Sequence, residues 1–342
     1  MEKLYEYVGV FHIHTTESDG TKGHEEIIRI AKRSGLDFIV FTDHMSIKRP
    51  QLQGWHDGVL VIVGYELQDN ANKNHYLVLG IDRLVGKNMT AMDYVRKVKE
   101  FNGIGIIAHP DEVRQNPDYP PYEWNEWNTL EFDGLEVWNH LSAWMEEIVS
   151  KRQYILFVKP RAFLLYPPER TLKRWDELNK IGHYVGIGSV DAHAHKYRFG
   201  PFWIRIFPYK VAFKSIRSHL LLKEPLPLEN EKAVLSFLQA VRKGNIFISN
   251  YHRGDARGFR FIARGKSGKY VLPGEAMELK DSPYLFSITP RRALFRLIKD
   301  GSLLTEREGN EFNFEVVEKG IYRMELVRDN AGWIYTNPIW II

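Results

Sequence analysis

A chain of 342 residues with 44% hydrophobic side chains is long enough for two domains and a large buried core, while 47 basic against 43 acidic residues leave a charge of +4, too balanced to mark a polyanion-binding surface. The absence of cysteine excludes disulfides, thiolate nucleophiles and thiolate-held zinc, so any metal must be held by nitrogen and oxygen. The charged start Met1-Glu2-Lys3-Leu4-Tyr5-Glu6-Tyr7 lacks the apolar run of a signal peptide, and no stretch approaches the roughly 18 uninterrupted apolar residues of a membrane helix, so a soluble, cytoplasmic protein with no membrane contact is expected.

Val8 to Ile13 reads as a β-strand running into Phe11-His12-Ile13-His14-Thr15-Thr16-Glu17-Ser18-Asp19-Gly20. On a strand, side chains two apart share a face, so His12 and His14 project together as a chelating pair. Asp19 adds a hard carboxylate in a turn that Gly20 lets fold back toward the histidines. Helical spacing of Ile27, Ile30, Ala31 and Ser34 predicts a helix over Gly23 to Gly35, with Gly35 as its C-terminal stop. The apolar run Leu36 to Phe41 suits a buried parallel strand and ends at Thr42-Asp43-His44. A third strand, Leu60 to Tyr65, ends at Glu66, and a fourth, Tyr76 to Gly80, begins just after His75. The connection from Leu67 to Asn74 is too short for a helical crossover, which predicts an antiparallel or irregular step.

Thr90 caps a predicted helix, with Asp93 three residues on and Val95, Val98 and Phe101 as its buried stripe. Gly103 to Ala108 forms the next strand and ends at His109-Pro110; Gly134 to Trp138 forms another and ends at Asn139-His140. Between them, Asp111 to Thr129 is rich in Pro, Trp and Tyr without a period, a long loop suited to wall a substrate cleft. Helices are predicted from Ser142 and over Glu169 to Ile181. His183 to Ser189 reads as the last strand of this half, with Asp191-Ala192-His193 at its end. Five strand ends thus each deliver a candidate ligand: His12/His14, His44, Glu66, His109 and Asp191/His193. In an α/β barrel that rim is where strand ends converge.

Beyond Phe199 the pattern changes. Phe202 to Leu222 reads as strand and helix closing the barrel, Pro225 and Pro227 as a hinge, and Glu231 to Lys243 as a helix ended by Gly244. From Asp255, Phe259/Phe261, Phe312/Phe314/Val316 and Tyr322/Met324/Leu326 alternate with polar residues, with turns expected at Lys299 to Ser302, Glu308-Gly309-Asn310 and Asp329 to Gly332. Short alternating strands at this spacing suggest a small immunoglobulin-like sandwich of about 90 residues, with Trp333, Tyr335 and Trp340 in its core rather than on a partner surface. The expected segments are a barrel over 1–205, a barrel-closing and linker segment over 206–254 and the β-sandwich over 255–342.

The motifs His12-Ile13-His14, Ser18-Asp19-Gly20, Thr42-Asp43-His44, Gly64-Tyr65-Glu66, His75, Ala108-His109-Pro110, Glu136-Val137-Trp138-Asn139 and Gly188-Ser189-Val190-Asp191-Ala192-His193 resemble, in order, those of the PHP (polymerase and histidinol phosphatase) metallohydrolase superfamily. The resemblance covers roughly the first 200 residues. It implies a distorted (β/α)7 barrel whose rim holds two or three divalent ions. The Glu-Val-Trp-Asn segment, Tyr335-Thr336-Asn337-Pro338-Ile339 and the added tail look most like the branch of carbaryl hydrolase-type metallohydrolases.

Carried over residue by residue, the resemblance implies that His12, His14, Glu66 and Asp191 hold the first metal. Glu66 would bridge to a second ion held by His75 and His109, while Asp19, His44 and His193 would hold a third. Glu66 and His75 lie closer in sequence than in the histidinol phosphatases, and the extra His195 could compete with His193. A carboxylate bridging two cations presents a shared water whose pKa falls toward neutrality, giving hydroxide for attack on phosphorus; the donor set suits Zn, Mn or Fe. Glu66 and Asp191 would then serve catalysis as well as binding, with His195 beside them. His140, His195, Lys196 and Arg198 lie next to ligand motifs as candidates to bind a phosphate oxygen or protonate a leaving group. His24, His56, His183, His219 and His252 fall on no ligand motif and read as structural or exposed. The function expected is a metal-dependent phosphoesterase acting on a small molecule. The alternatives are hydrolysis of a carboxylic ester, amide or carbamate at the same centre, or a non-catalytic metal-binding scaffold. A nucleic-acid partner is not indicated, because no basic, aromatic-interleaved groove is evident. The sequence assigns no oligomeric state.

Overall fold

The computed structural model describes residues 3–116, 119–148, 159–199, 201–205 and 207–342. Its first half contains Tyr5–Ile13 (β1), His24–Arg33 (α1), Phe38–His44 (β2), Gly54–His56 (β3), Val59–Leu67 (β4), Tyr76–Leu79 (β5), Ala91–Glu100 (α2), Ile104–Ile107 (β6), Gly134–Asn139 (β7), His140–Glu146 (α3), Glu169–Ile181 (α4) and Val185–Ala192 (β8). Backbone pairing runs β1, β2, β4, β5, β6, β7, β8 and back to β1, a closed seven-stranded barrel within a mixed α/β fold. β5 alone runs against its neighbours, because the short connection after β4 leaves no room for a crossover. The apolar runs of β2 and β4 are buried on both faces, as parallel barrel strands require. Strand and helix do not alternate throughout: among the described residues, 108–133 contain neither.

β8 begins two residues later than the sequence suggests and runs through Ala192, so Asp191 lies within the strand rather than beyond it. His183 is drawn away, its Nε2 lying 3.1 Å from the carbonyls of Lys243 and Gly274. The helix expected from Ser142 starts at His140, because the Asn139 side chain accepts the Ser142 N–H at 2.9 Å as its cap.

After β8 come a separate two-stranded ribbon, Lys196–Phe199 (β9) and Phe202–Arg205 (β10), then Tyr209–Ala212 (α5), Ile216–Leu222 (β11), Asn230–Lys243 (α6) and Ile246–Asn250 (β12). β1 divides its pairing: Tyr5 to Gly9 lie against β11, whereas Phe11 and Ile13 pair with β8. Where β11 crosses β8, the Ser218 hydroxyl accepts the Gly188 N–H at 3.1 Å and donates to its carbonyl at 2.8 Å. A Cβ on Gly188 would press against Ile216 and Ile248, so only glycine admits this approach.

The remaining strands are Arg260–Arg264 (β13), Tyr270–Val271 (β14), Ala276–Met277 (β15), Tyr284–Lys299 (β16), Ser302–Glu315 (β17), Gly320–Arg328 (β18), Ala331–Thr336 (β19) and Ile339–Ile341 (β20). They do not start a detached sheet: β19 pairs with β12, so hydrogen bonding continues from β1 through β11, β12, β19 and β18 to β16 and β17. The turn expected at Glu308 to Asn310 is absent; β17 runs straight through it. The glycine instead faces an irregularity, where β16 carries extra residues between Ile288 and Ala293 opposite Glu311 and Gly309. Trp333 and Tyr335 are buried, and Tyr335 meets Trp138 of β7 edge to face at 5.7 Å, tying this half to the barrel wall.

Glu6 anchors the same junction. Its carboxylate lies 2.7 Å from His219 Nδ1 on β11 and accepts from Arg260 Nη1 at 2.6 Å and from Gly258 N at 2.9 Å. Burial opposes the charge, but the His219 hydrogen bond and the Arg260 guanidinium overcome it and hold the carboxyl down at about 2. The folded-state pKa is depressed, so the stabilisation is complete above the ordinary carboxylate range and lost as pH falls through about 2. Glu6→Ala is expected to cost about 3 kcal/mol in urea unfolding at pH 7, a deficit that roughly halves by pH 3. A deficit unchanged with pH would contradict this.

Candidate metal centre

The centre is built around Glu66, near the end of β4, whose side chain is 1% exposed. Its Oε2 lies 3.1 Å from His12 Nε2, 3.3 Å from His14 Nε2 and 3.1 Å from His44 Nδ1. Its Oε1 lies 2.8 Å from His75 Nδ1 and 3.6 Å from His109 Nε2. Parallel pairing of β2 with β4 sets His44 opposite Glu66, and β1, β5 and β6 bring the other imidazoles from either side.

His12 reaches this position through a break in its strand rather than by simple alternation. It has φ 68°, and the register of β1 shifts there against both β2 and β8. The bulge swings His12 and His14 onto one side, with ring centroids 5.0 Å apart. His109 and Asp191 also take positive φ, 29° and 49°. Asp191 Oδ1 sits 3.5 Å from His12 Nε2, 3.4 Å from His14 Nε2 and 3.3 Å from His193 Nδ1.

Asp19 arrives on the loop after β1. Asp43 holds that loop, accepting from Thr15 N at 2.7 Å, Thr15 Oγ1 at 2.8 Å and Ser18 Oγ at 2.6 Å. The loop folds back closely enough that a Cβ on Gly20 would collide with the His14 carbonyl. Asp19 then stands 3.5 Å from His14 Nδ1, 3.3 Å from His193 Nε2, 3.8 Å from His44 Nε2 and 3.9 Å from His195 Nε2.

Donor atoms close enough to share an ion form three linked groups: His12, His14 and Glu66; His44, Glu66 and His75; and His14, Asp19, His44 and His193. These groups take in seven of the nine expected ligands and overlap, with His14, His44 and Glu66 each belonging to two; His109, 3.6 Å from Glu66, and Asp191, beside His12, His14 and His193, adjoin them. Divalent cations fit the donors present. His14 Nε2 and His44 Nδ1, both facing Glu66, are buried without a well-aligned hydrogen bond, although such nitrogens ordinarily find one. Burial opposes charge on Glu66, yet the surrounding imidazoles, led by His44 and His12, hold its carboxyl well below the usual range. Asp191 is likewise held low, by His12 and His14. Burial together with the neighbouring His193 pushes His14 down to about 3, leaving a neutral ring with a lone pair to offer.

Two supporting residues have no role assigned by the sequence, Glu136 although it opens one of the motifs and Tyr209 although it lies near none. Glu136 accepts from His109 N at 2.8 Å and Asn139 Nδ2 at 2.7 Å and lies 2.7 Å from His12 Nδ1, which turns His12 Nε2 toward the cluster. Its signals in the sequence are that motif and its place as a lone acid inside the apolar run of β7. Tyr209 donates to the His14 carbonyl at 2.7 Å from a helix far along the chain, and nothing local announces it.

The cluster floors an open cleft of about 820 Å³, and the loop over 111–129 walls it, as expected, through Arg114, Tyr119 and Tyr122. Tyr122 stacks on His75 at 5.0 Å and carries the Arg114 guanidinium 4.8 Å from its ring. His195 and Lys196 also line the cleft, while Arg198 lies further along β9 and is exposed. His140 does not reach it. As the first residue of α3 it is buried edge-on against Phe207 at 4.2 Å, and burial pushes its pKa down to about 3. His24 is buried 4.0 Å from Asp43 and 3.9 Å from Glu17, a separate set of donors close enough to share an ion, while His56 lies 2.8 Å from the Leu52 carbonyl and His252 is exposed.

No family model matches the chain. An uncharacterized protein of Methanocaldococcus jannaschii is 26% identical over 174 residues, 45% of this chain and 95% of that relative. Among solved structures, a two-domain protein of Bacteroides vulgatus described as containing a predicted PHP-like metal-dependent phosphoesterase aligns at a TM-score of 0.47 and 16% identity, covering 98% of this chain and 95% of that one. A protein of Bifidobacterium adolescentis, provisionally described as a metal-dependent phosphoesterase, aligns at 0.37 and 15%, covering 57% and 91%. At these values the functional reading rests on the site itself. No helix among the described residues is long and apolar enough to cross a membrane.

Adding Zn2+ or Mn2+ to chelator-treated protein is expected to raise its unfolding free energy by about 2.7 kcal/mol at a free-metal concentration of 100 Kd. In Glu66→Ala most of that increment disappears. Equal increments in the two proteins would show that the metal binds elsewhere.

Proposed function

We propose that this protein is a metal-dependent phosphoesterase of the PHP type acting on a small phosphoester. The observation that carries the reading is Glu66, a buried carboxylate touched through both oxygens by five imidazoles at the floor of an open cleft. In this reading His12, His14, Glu66 and Asp191 hold one cation, Glu66, His75 and His109 a second, and Asp19, His44 and His193 a third. Zn, Mn or Fe bound by such donors supplies Lewis-acid activation of water and offsets the charge that grows on phosphorus.

The chain's own groups orient and move protons. Glu66 and Asp191 stay ionised, and Glu136 fixes the tautomer of His12. His195 lines the cleft beside Asp19, and burial with the neighbouring His193 lowers its pKa. Its place in the cleft puts it within reach of a leaving-group oxygen, while the lowered pKa favours the neutral ring at neutral pH. Lys196 at the same wall is placed to bind a phosphoryl oxygen. The motifs in their order further support the carbaryl hydrolase-like branch and a distorted (β/α)7 barrel over 1–205; a barrel-closing linker over 206–254, an immunoglobulin-like sandwich over 255–342, drawn from the alternation of its strands, and a cytoplasmic setting belong to the same proposal.

Chelation should abolish hydrolysis of 4-nitrophenyl phosphate and metal return should restore it, while His12→Ala lowers kcat/KM by about 100-fold. Turnover indifferent to both would remove the reading, and faster hydrolysis of 4-nitrophenyl acetate would move the reaction from phosphorus to carbon.

A further inference from the structure

The β9–β10 ribbon leaves the barrel directly after His195 and forms a sheet of its own. Its register sets Lys196 opposite Arg205 and Arg198 opposite Trp203. Residues opposed across an antiparallel pair share a face, and so do residues two apart along one strand. One face of the ribbon therefore carries Lys196, Arg198, Trp203 and Arg205 together. No acidic residue occurs between Lys196 and Arg205 in the sequence, although Glu26 of α1 feels the Arg205 charge.

This face adjoins the cleft, since Lys196 lines it. Lys196 and Arg198 are exposed, Trp203 is 66% exposed, and the half-buried Arg205 leaves Nε without a hydrogen-bond partner. At the strand rise of about 3.3 Å per residue, the Arg198/Trp203 pair stands roughly 7 Å beyond the Lys196/Arg205 pair, away from the cluster. The cations are thus spread outward from the rim, further than one phosphoryl group bound at the cluster extends. An exposed indole beside guanidinium groups offers a flat apolar surface next to positive charge.

We propose that this ribbon face is a second substrate subsite, selecting small phosphoesters whose leaving group carries a further anionic group. The inference rests on the phosphoesterase reading for the reaction, but the ribbon's selectivity can be read without turnover. It is an ionic preference, so it weakens as salt rises.

The test compares 4-carboxyphenyl phosphate with phenyl phosphate on the metal-loaded full chain. Wild type is expected to prefer the carboxylated ester at least tenfold in kcat/KM, and the double variant Arg198→Gln/Arg205→Gln brings the ratio close to one. Calorimetric titration with 4-carboxyphenylphosphonate and phenylphosphonate provides the second measurement. If neither ester is hydrolysed, a binding preference lost in the double variant upholds the subsite while the phosphoesterase reading fails. A wild-type ratio near one, a ratio unmoved by the double variant, or no binding preference where hydrolysis is absent would overturn the subsite. Tighter binding of a single-stranded oligonucleotide than of the carboxylated phosphonate would overturn its assignment to small molecules.

Discussion

A negative charge buried among imidazoles is the constraint from which the rest of this protein follows. Glu66 has almost no access to water, and ionisation in such a place is costly unless positive partners surround it. The five histidines at its oxygens come from β1, the loop after it, and the ends or borders of β2, β5 and β6. No local segment could supply them, because they are spread from residue 12 to residue 109. Closure of the seven strands into a ring brings them to one mouth, and β5 running backwards delivers His75 from the start of its strand instead of the end. The reversal matters to the site: it places His75 beside Glu66 despite the short connection between them.

The backbone shows what this arrangement costs. His12, His109 and Asp191 sit at positive φ, where residues with a Cβ are strained by about 1–3 kcal/mol each. The surrounding structure holds them there. Glu136 fixes both the His12 ring and the His109 amide, and the His14 N–H pairs with the Ala192 carbonyl at 3.1 Å, locking β1 to β8 beside the strained residues. Asp43 does the corresponding work for the Asp19 loop. Glu136, Ala192 and Asp43 do not line the cleft, yet they determine whether nine donors converge.

Much of this was legible in the sequence because each ligand lies on or beside an apolar run with a clear strand signal. Strand ends in a barrel share a rim, so the convergence of His12, His44, Glu66 and His109 could be anticipated from topology alone. The antiparallel step before β5 was equally readable, from a connection too short to cross over. Other features depend on contacts that no local pattern encodes. Alternation explains why His12 and His14 are neighbours only until the bulge is seen. His140 looked like a cleft residue because it follows a strand, but Asn139 caps a helix there and turns it inward. The β-strands after residue 255 showed their alternation clearly; their continuity with the barrel depends on β19 meeting β12, a pairing across distant sequence. Gly309 illustrates the limit of turn chemistry, since a glycine flanked by polar residues also suits an irregular strand.

The central claim is that Glu66 is shared between bound cations. Anomalous diffraction from crystals of the purified protein, recorded on both sides of the Zn, Mn and Fe absorption edges, tests it most directly. The account predicts at least two metal peaks, one facing each oxygen of Glu66 and both ringed by histidines of the cluster. A single peak remote from Glu66, or protein crystallised with abundant metal that shows none in the cluster, would contradict it.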